Sequence, residues 1–149
     1  MQPVEAEEAT ISTYLREQSS YHLHTIPIYN RLISNPPPKA DQLLVFDDTI
    51  VNAWVSKVPH WFSDNAGPTI NPQFALVHGI NNWRFRNLRI IMFRPFLVRW
   101  ALQNEAEVLP WEEQAATDRC LQAAQESITS IQSFWNSNYQ SRLTAFYVL

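Results

Sequence analysis

Glycine is almost missing from this chain. Gly67 and Gly79 are the only two among 149 residues, where a share of roughly 7% would give about ten. Neither a G-x-G-x-x-G dinucleotide turn nor a Walker-A phosphate loop can be written with two glycines so placed. Asn-Gly and Asp-Gly hairpin turns are absent as well, which argues against a many-stranded sandwich or barrel. The turns fall instead to seven of the ten prolines, Pro36, Pro37, Pro38, Pro59, Pro68, Pro72 and Pro110. Proline stops helices without needing positive backbone angles. With 46% apolar and only 17% charged residues, the expectation is an all-α bundle of four to five helices around a long, buried, proline-kinked central helix.

The charge balance, −3 from 11 basic and 14 acidic residues, lacks the basic excess of a nucleic-acid binder. A single cysteine, Cys120, excludes an internal disulfide framework and any C-x-x-C metal site. The first residues carry Glu5, Glu7 and Glu8 and no apolar core, unlike a secretory signal. No apolar run approaches the ~18–20 residues of a membrane span. A soluble, intracellular protein is expected, with residues 1–9 a flexible N-terminus.

Apolar periodicity divides the chain further. The first helix is expected over residues 8–34, with Tyr14, Tyr21, Ile28 and Leu32 facing the core and Pro27 kinking or dividing it. The second is expected over 42–58, capped by Asp41, with a stripe of Leu43, Phe46, Ile50, Ala53, Trp54 and Lys57. Residues 59–71 read as a loop. Asn71-Pro72 is a strong start for a third helix reaching residue 103, apolar on nearly every side, as a buried helix is. The fourth is expected over 111–136, with Ala116, Cys120, Ala124, Ser127 or Ile128, Ile131 and Trp135 inward. Residues 139–149 read as the opening of another apolar helix, so the 149 residues are expected to be one truncated domain.

Candidate chemistry is sparse. His22 and His24 stand two apart, which on a helix points them ~200° from each other and prevents chelation of one ion. Asp47-Asp48 could open the magnesium-binding D-D-x-x-D pattern of helical terpene synthases. Thr49, Ile50 and Val51 follow, however, and an exposed acidic turn is the expectation. Cys120 and Ser127 lack any context that activates a nucleophile. Arg84, Arg86, Arg89, Arg94 and Arg99 scatter around the axis of the third helix. Ion pairing is expected for them, with Glu105, Glu107, Glu112, Glu113 and Asp118 as partners, because an unpaired buried charge is costly.

One stretch carries a resemblance. Residues 87–97, NLRIIMFRPFL, resemble the L-R-x-x-x-x-R-P-F-L segment of the fungal-specific transcription factor domain, the middle homology region of binuclear zinc-cluster regulators. Residues 46–62 are similar to that family's helix ending in W-x-x-x-L-P-x-W-F, with Trp54, Pro59, Trp61 and Phe62 in place and Val58 where leucine is commoner. Residues 119–131 are similar to its C-x-x-A-A-x-x-x-I helix. The resemblance covers about residues 10–149 and lacks the six-cysteine DNA reader. It implies a nuclear regulatory domain without catalytic residues and without direct nucleic-acid contact, zinc belonging only to the absent module. Implied partners are other domains of the parent protein, a coregulator or small-molecule effector, and a second copy. The residues expected to form the signature core or an effector pocket are Trp54, Trp61, Phe62, Trp83, Arg89, Arg94 and Phe96. A helical scaffold without a transcriptional role is the alternative, and a terpene-synthase-like enzyme a more distant one.

Overall fold

The computed structural model describes residues 10–58, 75–103 and 108–137. Every regular element among them is helical and no strand occurs, so the chain is all-α. Helix α1 (Ile11–Leu32) opens on a reciprocal cap. The Thr10 hydroxyl accepts from the Thr13 amide at 3.2 Å, and the Thr13 hydroxyl accepts from the Thr10 amide at 2.7 Å. Two amides that the helix cannot satisfy internally are thereby paired. The helix continues through Pro27 without division. Pro27 sits on the exposed side, where a carbonyl left without its N–H partner can be met by water. Arg31 closes the last turn and reaches Ser34 at 3.1 Å and Gln42 at 3.2 Å, tying α1 to the next element across the proline run.

Helix α2 (Ala40–Phe46) passes through a π-helical turn (Asp47–Val51) into the short α3 (Asn52–Val55). Asp41 lies inside the first turn and does not cap it. The cap is Lys39, whose amide donates to the Gln42 side chain at 3.2 Å. The inward stripe is Ala40, Leu43, Leu44, Asp47, Val51 and Trp54. It is rotated from the expected one: Ala53 and Lys57 are exposed and Phe46 is half-buried.

Helix α4 (Ala75–Leu102) is 28 residues, about 42 Å at 1.5 Å per residue. It runs on through Pro95, which is exposed. The proposed start at Asn71-Pro72 lies outside the described residues, as do Gly67, Trp61, Phe62 and the expected fifth helix over 139–149. Helix α5 (Trp111–Asn136) matches its expected bounds and carries Glu112 and Glu113 in its first turn, where the helix dipole favours acids. Its buried positions are Ala116, Thr117, Cys120 and Ala123. Of the alternatives Ser127 or Ile128, Ser127 is half-buried and Ile128 exposed, and Trp135, expected inward, is exposed.

Helices α4 and α5 pack against each other over most of their length. The reason lies in side-chain size. Small residues on α5 (Ala116, Cys120) let α4 approach with Leu88, Met92, Phe93 and Phe96, all in the same buried cluster. Fully burying each large apolar side chain contributes roughly 1.5–3 kcal/mol. Tyr21 and Ile28 of α1 and Leu43, Leu44, Val51 and Trp54 of the α2–α3 rod close that cluster from the other side. Further along, Gly79 makes room for Trp83: a Cβ there would stand 3.1 Å from the indole ring. Trp83 packs edge-on to Phe134 and donates to the Ser130 hydroxyl at 3.1 Å. One of the two glycines thus serves helix packing.

Candidate functional site

The site grows out of the π-helical turn. Asp47 follows Leu43 and Leu44 on the inward stripe, one helical turn on, so the backbone carries a carboxylate into a position that otherwise takes an apolar side chain. It is 1% exposed. The expected exposed acidic turn is therefore corrected: Asp48 is exposed and Asp47 is buried. A buried carboxylate persists only when paired and hydrogen-bonded, and Asp47 is both. Its Oδ1 accepts from Arg89 Nε of α4 at 2.8 Å, and its Oδ2 accepts from Arg119 Nη1 of α5 at 2.7 Å.

The surrounding contacts fix both guanidinium groups. Arg89 also donates to Asn52 at 2.8 Å and lies over the Phe85 ring at 4.8 Å. Arg119 reaches Asp48 at 2.8 Å and 3.2 Å. The Asp48 hydrogen bond, ahead of the Asp47 contacts, raises the Arg119 pKa above its ordinary value, while partial burial works against it. Two carboxylates and two guanidinium groups leave the cluster electrically balanced. It joins the π turn, α3, α4 and α5 at one point. With a cation on each Asp47 oxygen, the D-D pair does not present a free carboxylate as a magnesium ligand. Among the described residues no group of three His, Cys, Asp or Glu side chains is arranged to hold a metal ion.

The other described residues singled out from sequence lie apart from this cluster or at its margin. Trp54 packs edge-on to Tyr21 at 5.3 Å and against Phe85 at 6.0 Å, next to Arg89. The space beside it, lined by Tyr21, Ile28, Val51 and Leu88, is about 10 Å³, room for a single water at most. Trp83 stands further along α4 against Phe134. Arg94 is exposed. Phe96 is buried and lines an open cleft of about 580 Å³ with Pro36–Pro38, Lys39, Arg99 and Glu113.

Ion pairing, expected for all five α4 arginines, is seen for Arg86, Arg89 and Arg99, and only Arg99 takes one of the expected partners. Arg99 meets Glu113 at 2.7 Å, but Arg86 meets Glu126 at 3.5 Å and Arg89 takes Asp47. Arg84 donates to the Gln18 side-chain amide, and its backbone carbonyl accepts from the buried Tyr21 hydroxyl at 3.0 Å. Burial pushes the Tyr21 phenol well above its usual pKa. Burial likewise raises the Cys120 thiol, whose Sγ stands 3.8 Å from the Ile90 carbonyl. A raised pKa keeps a thiol neutral and poorly nucleophilic. The Ser127 hydroxyl is spent on the Ala123 carbonyl at 2.8 Å. His22 and His24 are exposed on separate sides of α1.

Asp47 and Arg119 are the residues that sequence reasoning missed as a pair. A signal was present: the series 40, 43, 44, 47, 51, 54 is apolar at helical spacing except at 47. Comparison of the chain with known protein families, with curated proteins and with solved structures finds no match.

Proposed function

We propose that this chain is a regulatory and interaction domain of the kind carried by fungal zinc-cluster transcription factors. It acts in the nucleus through protein or effector contacts, without a catalytic step and without touching DNA itself. One observation carries the reading. The three segments on which the resemblance rests are distant in sequence, and each supplies one member of the central cluster: Asp47, Arg89 and Arg119. A set of motifs that converges on one structural joint is what a transmitting domain needs, because displacing any one segment moves the others. The distribution of polar groups supports a contact function too, since the acid, thiol and hydroxyl candidates are engaged in structural pairing. An effector would enter near Phe96 and Arg99, where the open cleft lies, and would reach the cluster along α4.

The test is a tethered reporter. The chain is placed between a heterologous DNA-binding module and an activation segment in a fungal host. Output should change several-fold relative to a helical spacer of equal length, and Arg119→Ala should abolish the change. Equal output from chain and spacer would remove the regulatory reading in favour of a passive scaffold.

A further inference from the structure

The end of α4 and the first turns of α5 enclose a second cleft. It shares no lining residue with the one at Phe96. Trp100, Leu109, Gln114, Thr117, Asp118 and Leu121 line its volume of about 240 Å³. Trp100 and Leu121 are large apolar side chains that remain exposed. Thr117 is the unexpected member. It is 5% exposed, and its hydroxyl oxygen is buried without a hydrogen-bond partner. Buried hydroxyls are nearly always bonded, and a helical one commonly turns back to a carbonyl of the preceding turn. Ser19, Thr49 and Ser127 do so at 2.9, 2.6 and 2.8 Å. Thr117 does not, which leaves the cleft it lines as the source of a partner.

The other polar groups of the cleft are acceptors. The Gln114 amide nitrogen donates to the Leu109 carbonyl at 2.9 Å, leaving Oε1 to accept. Asp118, expected to pair with an α4 arginine, makes no ion pair among the described residues. No lysine or arginine lines the cleft. The sequence from Trp100 to Asp118 carries Glu105, Glu107, Glu112, Glu113 and Asp118 and no lysine or arginine, with Glu113 spent on Arg99. Trp100 stands in the last turn of α4, the end of a helix that favours a cation. An indole face attracts cations as well.

We propose that this cleft binds a small primary ammonium ion with an apolar body, an arylalkylamine in its protonated form. The ammonium meets the Asp118 carboxylate and donates to Thr117 Oγ1 and Gln114 Oε1. The body lies on Trp100, between Leu109 and Leu121. Three acceptors suit the three N–H donors of a primary ammonium. A quaternary ammonium has no donor for Thr117, and a carboxylate is repelled by Asp118. The volume falls just under the ~300 Å³ at which drug-sized pockets begin, which limits the body to about one aromatic ring. The site lies apart from the Asp47 joint and does not rest on the transcriptional reading.

The full chain, labelled with nitrogen-15, is titrated with 2-phenylethylammonium chloride at neutral pH and read at the indole Nε–H signals. The Trp100 signal is assigned by its loss in Trp100→Phe. It should move saturably, with a Kd of about 1 mM or tighter. Uncharged 2-phenylethanol and anionic 3-phenylpropionate should bind about tenfold more weakly or worse, as should the ammonium to Asp118→Asn, since each loses a charge-assisted contact. The trimethylated ammonium should bind several-fold more weakly than the primary one. Thr117→Val keeps the side-chain shape and should weaken the ammonium several-fold. Its melting temperature should equal or exceed the parent's, because an unpaired buried oxygen is gone. A fall in that temperature would reveal a partner inside the fold and overturn the proposal. So would a Trp100 signal unmoved by about 10 mM ammonium, equal binding of 2-phenylethanol or of the trimethylated ion, or an affinity indifferent to both substitutions.

Discussion

Replacing Arg89 and Arg119 by methionine, singly and together, probes the buried joint directly. Methionine keeps most of the apolar stem that arginine packs and removes the charge. Each single change takes one charge-assisted hydrogen bond from Asp47, worth about 1.5–3 kcal/mol. The two side chains are 25% and 31% exposed, so solvent screening places each loss in the lower half of that range, about 1.5–2 kcal/mol. The double change is a different case. Asp47, at 1% exposure, is left without either arginine, and that uncompensated buried charge makes the loss exceed the sum of the two singles. Residues sharing one network couple by about 0.5–3 kcal/mol, so the double variant should lose about 3.5–7 kcal/mol. That is a large part of the ~5–15 kcal/mol available to a domain. Adding Asp47→Leu to the double variant removes the stranded carboxylate and should restore stability to within about 2 kcal/mol of the parent, as apolar replacement of whole buried ion clusters does elsewhere. Urea unfolding followed by tryptophan fluorescence reads the parent and the four variants. Strict additivity of the two arginine changes, together with no recovery on adding Asp47→Leu, would refute the buried-triad reasoning.

Tyr21 gives a pH-dependent test. Burial raises its folded-state pKa above the unfolded value near 10, so the neutral phenol is favoured by folding. The associated stability is complete below about pH 10 and is lost as pH rises beyond it. Tyr21→Phe should cost about 1 kcal/mol at pH 7 for the hydrogen bond to the Arg84 carbonyl, and the gap should close by about pH 11. A gap constant from pH 7 to 11, in thermal melts of both proteins, would count against the buried phenol. For Gly79→Ala, helix propensity alone offers about 1 kcal/mol of stabilisation. The new methyl meets an indole pinned by Ser130 and Phe134, so little or no gain is expected until Trp83→Phe frees the space. A full gain in the parent background would contradict the close packing.

The helical class was legible because scarce glycine, proline stops and 3.6-residue periodicity all agree, and the bounds of α5 follow from Pro110 and the acidic first turn. Ion pairing along α4 was legible in part: a buried arginine is costly unpaired, and Arg86, Arg89 and Arg99 each meet a carboxylate. Of their partners only Glu113 was legible, since pairing depends on which helix lies opposite, and Asp47 and Glu126 are distant in sequence from the arginines they meet. Asp47 was hidden by a helix stripe read one residue out of phase. The pattern that would have exposed it, 40, 43, 44, 47, 51 and 54, is apolar at every position but 47, and the apolar Phe46 and Ala53 drew the stripe to the wrong side. The sequence offers Pro27 as a kink or a division, and the helix is undivided, because an exposed proline need only give up one hydrogen bond to water.

The central claim is that three distant segments meet at Asp47, and nitrogen-15 NMR of the arginine side chains tests it most directly. Arg89 Nε–H donates to a buried carboxylate at 2.8 Å, whereas Arg94 is exposed and serves as the internal control. The Arg89 Nε–H should exchange slowly at neutral pH, stand apart from Arg94, and lose its protection in Asp47→Asn. An Arg89 signal that exchanges as fast as that of Arg94, or that ignores the Asp47 substitution, would contradict the convergence.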